Sequence, residues 1–178
     1  MIKNILLFLT IVSLSLITLA QEERKDSCNQ IITHEETGQK ILEGPVTIDG
    51  FSKVEDYYNY YEDEYHSYLP NIDTLRPVIN NMLTSRITLI LGTWCIDSKQ
   101  QVPRFIKILD MLNYPKENLT IIAVNRKLDD GSDSGLKNTY NLKKIPTIIF
   151  YSRWGDEIGR IVESPDDTLE TDILRIFN

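Results

Sequence analysis

Apolar residues along this chain fall into blocks of two periods, and the alternation of those blocks predicts the architecture. Ile87 to Leu91 and Leu119 to Val124 are short, β-rich and apolar on both faces, as expected of central strands covered on both sides. Thr147 to Tyr151 and Glu157 to Val162, joined by a turn at Gly155, read as two further strands. Helical spacing marks residues 73–83, where Leu75, Val78, Ile79, Met82 and Leu83 share one side and Pro77 sits in the first turns. It marks residues 96–112 through Val102, Phe105, Ile106, Leu109 and Leu112, with Pro103 expected to kink the helix. A short helix over 136–142 and a closing helix over 166–177 complete this part.

Upstream, Tyr57, Tyr61, Tyr65 and Tyr68 recur at spacings of four, four and three between Phe51 and Leu69, predicting an amphipathic helix. Such a stripe packs on its own domain more often than it serves as a binding surface. Val46-Thr47-Ile48 reads as a short first strand. Residues 21–44 are polar, lack apolar periodicity and end at Gly44-Pro45, which predicts a mobile leader. The whole predicts an α/β sandwich: a mixed sheet of four or five strands with helices on both faces.

The first twenty residues stand apart. Lys3, an apolar run from Ile5 to Leu19 and the ending Thr18-Leu19-Ala20 read as a secretory signal peptide over 1–20, cut after Ala20. The run is shorter than the roughly 20 residues a spanning helix needs, and Thr10, Ser13, Ser15 and Thr18 dilute it. The expected location is therefore the periplasm or the exterior, with no stable membrane insertion after cleavage. Loss of Lys3 takes the formal net charge from −7 to −8, which argues against a nucleic-acid partner. At 178 residues the chain suits one domain with a real core and an added segment.

Two cysteines, Cys28 and Cys95, exclude a disulfide-held scaffold but place thiols in a compartment where disulfides form. His34 and His66 show no metal-ligand spacing with them, and Asp129 to Asp133 lacks the later glutamate of a calcium loop, so no metal or other cofactor is expected. Chemistry concentrates at Trp94-Cys95-Ile96-Asp97-Ser98, where a strand gives way to a helix. Unpaired N–H groups and the dipole at such a helix start favour thiolate, while the Asp97 carboxylate opposes it. Ser98, three residues on, could turn its hydroxyl to the sulfur.

The order strand, Trp-Cys-x-x-Ser, helix with a proline eight positions after the cysteine (Pro103), strand, short helix, Ile145-Pro146-Thr147 before a strand, then Gly155-Asp156-Glu157 at a hairpin resembles thioredoxin. The resemblance covers roughly residues 71–178, and the Thr-Trp-Cys-x-Asp-Ser-Lys form of Thr93 to Lys99 is similar to the secreted thioredoxin-like proteins of Bacteroidetes. It implies a thioredoxin-like three-layer sandwich over 71–178, preceded by a strand and helix extension over 45–70. It also implies a cis Ile145-Pro146 bond lying against Cys95. By the same resemblance Cys95, Ser98 and Pro146 form the reactive centre, and Trp94, Ile96, Asp97, Ile145 and Thr147 meet the substrate. The expected partners are protein or peptide thiols and disulfides, with an external thiol reductant.

Two departures shape the expected chemistry. Thioredoxins usually bury an acid six positions before the first cysteine, where this chain has Leu89, and a lysine in the next central strand, where it has Ala123. The pair that aids release from a dithiol enzyme is missing, in keeping with Ser98 in place of the second sulfur. A lone thiolate attacks a disulfide to give a mixed disulfide that another thiol must resolve, so isomerisation or monothiol reduction is expected. Cys28 is the candidate resolving thiol or the partner in a Cys28–Cys95 lock, the plainer reading being an unpaired leader cysteine. The alternative function is a non-redox binding or chaperone-like module.

Overall fold

All five side chains from Ile87 to Leu91 are buried, and in the computed structural model, which describes residues 28–131 and 135–178, they lie in the central strand of a six-stranded sheet. The signal-peptide reading falls outside the described residues. In chain order the strands are β1 (Gln30–Thr33), β2 (Lys40–Pro45), β3 (Arg86–Leu91), β4 (Leu119–Ala123), β5 (Thr147–Tyr151) and β6 (Glu157–Val162). The helices are α1 (Glu55–Ser67), α2 (Ile79–Leu83), α3 (Ile96–Met111), α4 (Leu136–Thr139) and α5 (Leu169–Phe177).

Across the sheet the order is β1-β2-β4-β3-β5-β6. β3 pairs parallel with β4, Leu89 facing Ile121, and antiparallel with β5, Leu89 facing Ile148. Alternate residues then point to opposite faces. Leu89, Leu91, Ile148 and Phe150 enter the larger core under α1, α3 and α5, while Ile90, Ile122 and Ile149 enter a smaller one with Leu136 of α4. Helices thus cover both faces of a mixed sheet. At the β5–β6 turn Gly155 has φ +100°, a value glycine adopts without a Cβ penalty.

The tyrosine stripe faces the interior. α1 runs parallel to α3: Lys99 Nζ lies 4.3 Å from the Tyr60 ring centroid, Arg104 pairs with Glu64 at 2.8 Å, and Tyr65 donates to Asp110 at 2.8 Å. Tyr57 and Tyr61 are buried. Tyr68 Oη and the Asn71 N–H both donate to the buried Glu170 carboxylate at 2.8 Å, tying the end of α1 to α5. A buried charge is tolerable where its oxygens are bonded in this way.

Three expectations change. The segment read as part of a polar leader over 21–44 is, in its described part, the β1–β2 hairpin, with Ile32 opposite Ile41 and Gly44 opposite Ala123. The sheet therefore has six strands rather than four or five. β1 is short and largely exposed at the sheet edge, and β2 buries the adjacent Ile41 and Leu42 rather than alternate residues, so the hairpin leaves little hydrophobic periodicity to read. Val46-Thr47-Ile48 is not a strand; it leads into a 3-10 turn over Ile48–Lys53 capped by Thr47. The predicted helix over 73–83 is two pieces, a 3-10 turn over Ile72–Leu75 and α2, divided around Pro77, which has no N–H to donate. By contrast α3 runs unbroken through the buried Pro103. Among the described residues no helix is long and apolar enough to cross a membrane.

Candidate thiol site

β3 ends at Leu91, and the next four residues turn its course into α3. The Cys95 N–H donates to Gly92 O at 2.9 Å, and Cys95 O accepts from Lys99 N at 3.0 Å, so Cys95 is the N-cap of α3 with extended backbone. Its side chain is half-buried against the small core formed by Ile90, Val124 and Ile145. The Ile145-Pro146 peptide is cis, and the Cys95 thiol donates to Ile145 O at 3.6 Å. The structure thus brings the cysteine and the proline loop together from positions fifty residues apart.

Trp94 is held rigidly beside them. Its Nε1 donates to Val124 O at 3.0 Å, and the Arg126 guanidinium carbon lies 4.7 Å from its ring centroid. Below it, Thr93 Oγ1 accepts from the Leu42 N–H at 3.1 Å and fastens the motif to β2. Gly92 is required by close approach: a Cβ there would lie 2.6 Å from Ile145 Cδ1 and 2.8 Å from the Trp94 indole. Gly92→Ala should therefore displace Trp94 or Ile145 and destabilise the fold by about 1–3 kcal/mol. Denaturant unfolding followed by Trp fluorescence checks this, and an unchanged midpoint would show that the close packing gives way freely. Gly92, Thr93 and Arg126 carry no spacing signal in the sequence; only their contacts reveal them.

Several expected roles are redistributed. Ser98 is buried, and its Oγ accepts from the Gly92 N–H at 3.3 Å, so the hydroxyl oxygen holds the loop backbone. Ile145 and Thr147 are buried, and Thr147 Oγ1 donates to Lys144 O at 2.6 Å. Neither side chain is available to a substrate, although both shape the loop that faces Cys95. Trp94, Ile96 and Asp97 do reach the surface, Ile96 with 65% of its area exposed. Lys144 is held above the ordinary lysine pKa chiefly by its bond to Glu163, with Asp97 adding a smaller pull, so a cation stands near the Asp97 carboxylate.

Cys28 and Cys95 are both free thiols. Cys28 precedes β1 at the level of Pro45, and β2 and β4 intervene before β3. Three steps of about 4.8 Å give a lateral separation of about 14 Å. A disulfide wants Cα atoms about 4.4–6.8 Å apart, so the hairpin would have to leave the sheet before Cys28 met Cys95. Leu89 and Ala123 are wholly buried and apolar. The buried charged residues among those described are Glu170 and Asp172, both on α5.

The order β4-β3-β5-β6, with one parallel pair, a cysteine capping the helix after β3 and a cis-proline opening β5, defines a thioredoxin-like fold. No protein-family model and no curated protein matches the chain. Solved structures that it resembles include a Pseudomonas aeruginosa protein of unknown function, at 16% identity over 67% of this chain and 68% of that one, with a TM-score of 0.44. They also include thioredoxin O2 of Arabidopsis thaliana, at 17% identity over 60% and 85%, TM-score 0.40. Mitochondrial thioredoxin 3 of Saccharomyces cerevisiae aligns at 18% identity over 56% and 86%, TM-score 0.32.

Proposed function

We propose that this chain is an exported thioredoxin-fold protein that exchanges disulfides through one thiol, Cys95, in the manner of the secreted Cys-x-x-Ser proteins it resembles in sequence. The observation that carries the reading is the half-buried Cys95 at a helix N-terminus, its sulfur 3.6 Å from the carbonyl that precedes a cis-proline. The sulfur stands at the N-terminal end of the α3 dipole, and Trp94 and Ile96 offer an apolar rim to a peptide.

The thiolate attacks one sulfur of a substrate disulfide; the new sulfur–sulfur bond forms as the old one breaks, and the departing thiolate takes a proton from water. Ser98 cannot resolve the adduct, since it has no sulfur to displace the substrate. A second thiol of the substrate can attack the mixed disulfide and free Cys95, leaving the number of disulfides unchanged. Alternatively two external thiols reduce the substrate in turn and leave as their own disulfide. Isomerisation and monothiol reduction are thus the two outputs of one site, and net dithiol oxidation is not expected. The substrates are protein or peptide disulfides outside the cytoplasm, in the compartment that a cleaved leader over 1–20 would give.

Refolding of a scrambled-disulfide protein in a glutathione buffer, run beside insulin reduction, is the test. Accelerated refolding, with insulin reduced only while free glutathione is supplied, is the expected result. Failure of both reactions, with no adduct on Cys95, would instead favour a non-redox binding module.

A further inference from the structure

Tyr57 carries a hydroxyl that packing alone does not explain. Its side chain is wholly buried, with ring centroids 5.1 Å from Phe51 and 6.3 Å from Tyr61. Among the buried side-chain nitrogen and oxygen atoms of the described residues, its Oη alone has no hydrogen-bond partner. A phenylalanine would fill the same space without burying an unpaired donor, and such groups are rare because they forfeit their bonds to water.

The parallel packing of α1 on α3 says what lies near that hydroxyl. Tyr60 stands beside Lys99 and Glu64 beside Arg104. Tyr57, nearly one turn before Tyr60, is therefore level with the first turn of α3, where Cys95 is the cap. Burial holds the Tyr57 phenol well above its ordinary pKa, with Tyr61 and then Cys95 adding to the effect. The phenol accordingly keeps its proton at neutral and mildly alkaline pH.

We propose that Tyr57 is a positioning residue for Cys95, its idle hydroxyl donating a hydrogen bond to the sulfur once the thiol has become a thiolate. In the resting thiol the S–H donates to Ile145 O. On ionisation that bond has no proton, and the carbonyl dipole repels the negative sulfur. The sulfur then turns from the proline loop toward donors, which are the N–H groups of the first turn of α3 and the Tyr57 O–H behind them. The chain lacks the buried acid of a dithiol thioredoxin at Leu89, and it supplies from α1 a neutral donor suited to holding a thiolate rather than removing a proton. The charged and titratable groups around this site are Asp97 and Lys99 on α3, Lys144 with Glu163 at the proline loop, Arg126 over Trp94, and Tyr60 and Tyr61 on α1. None of these is altered by exchanging Tyr57 for phenylalanine.

This inference rests on Cys95 being the attacking thiol, but its test does not require any disulfide exchange. The rate at which iodoacetamide modifies the Cys95 peptide is followed by mass spectrometry across pH in the wild-type protein, Tyr57→Phe and Tyr61→Phe. Tyr57→Phe should react about tenfold more slowly at neutral pH, the loss expected when a bond to a charged group is removed, and equally fast in strong alkali where every thiol is ionised. The ultraviolet absorbance of the thiolate should fall in parallel at neutral pH. Its melting temperature should hold or rise, because an unpartnered hydroxyl has been deleted, and Tyr61→Phe should keep the wild-type pH profile. A neutral-pH rate equal to wild type would overturn the proposal. So would a slowing of the same size at every pH, which would report altered access to the sulfur instead of its ionisation.

Discussion

Cys95→Ser abolishes covalent capture of disulfide substrates while leaving the protein folded. The sulfur is the only atom changed, the residue is half-buried, and the bond lost is one weak thiol contact to Ile145 O at 3.6 Å, which a serine hydroxyl can replace. Stability should therefore move by no more than about 1 kcal/mol. Reactivity falls completely, because an alcohol is not ionised at neutral pH and forms no stable bond to sulfur. Incubation with oxidised glutathione followed by peptide mapping separates the two thiols: wild type gains the adduct on the Cys95 peptide, and the variant gains none at that position. Disulfide isomerisation that persisted in Cys95→Ser would reject Cys95 as the attacking group and turn attention to Cys28, which the fold places across two strands from the site.

Phe150→Ala should show the largest loss of stability. Phe150 is wholly buried on β5, and its ring meets Phe105 of α3 at 6.0 Å and Phe177 of α5 at 5.6 Å, both edge-on. It therefore joins the sheet to two helices of one layer. Truncation opens a cavity that neighbours on rigid elements cannot fill, at a cost of about 3–5 kcal/mol. Each edge-on pair adds about 0.5–1.5 kcal/mol beyond the area it buries. Since domains are commonly stable by about 5–15 kcal/mol, this is a large share of the total. Urea unfolding should show a markedly lower midpoint with an unchanged slope. A loss below about 1 kcal/mol would mean that α3 and α5 do not close on β5 as described.

Much of this molecule was legible because its central elements announce themselves chemically. Ile87–Leu91 and Leu119–Ala123 are short, β-rich and mostly apolar, as strands between two layers are. The tyrosine stripe repeats with the helical period because α1 has one buried side, which packs on α3. Cys95 and Pro146 were recognisable from residue type and local order. The β1–β2 hairpin was not, since its strands are short, β1 is largely exposed, and β2 buries the adjacent Ile41 and Leu42, which leaves no alternation to read. The role of Ser98 was misplaced for a related reason. Three-residue spacing puts its hydroxyl within reach of the sulfur, but the Gly92 N–H is also within reach, and spacing cannot choose between two partners.

Residue type and local period were enough for the class of architecture, the thiol in the turn after β3, the want of a second sulfur beside it, and the apolar residues at Leu89 and Ala123. These are properties of residue type and local period, carried by the chain before it folds. Tertiary structure alone decided that the thiol faces the Ile145 carbonyl, that Ile145 and Thr147 are buried beneath their loop, that Cys28 stands apart, and that Tyr57 brings an unpartnered hydroxyl level with Cys95. Each of these joins residues distant in the chain through packing, and the register of one helix or strand on another depends on every contact between them at once.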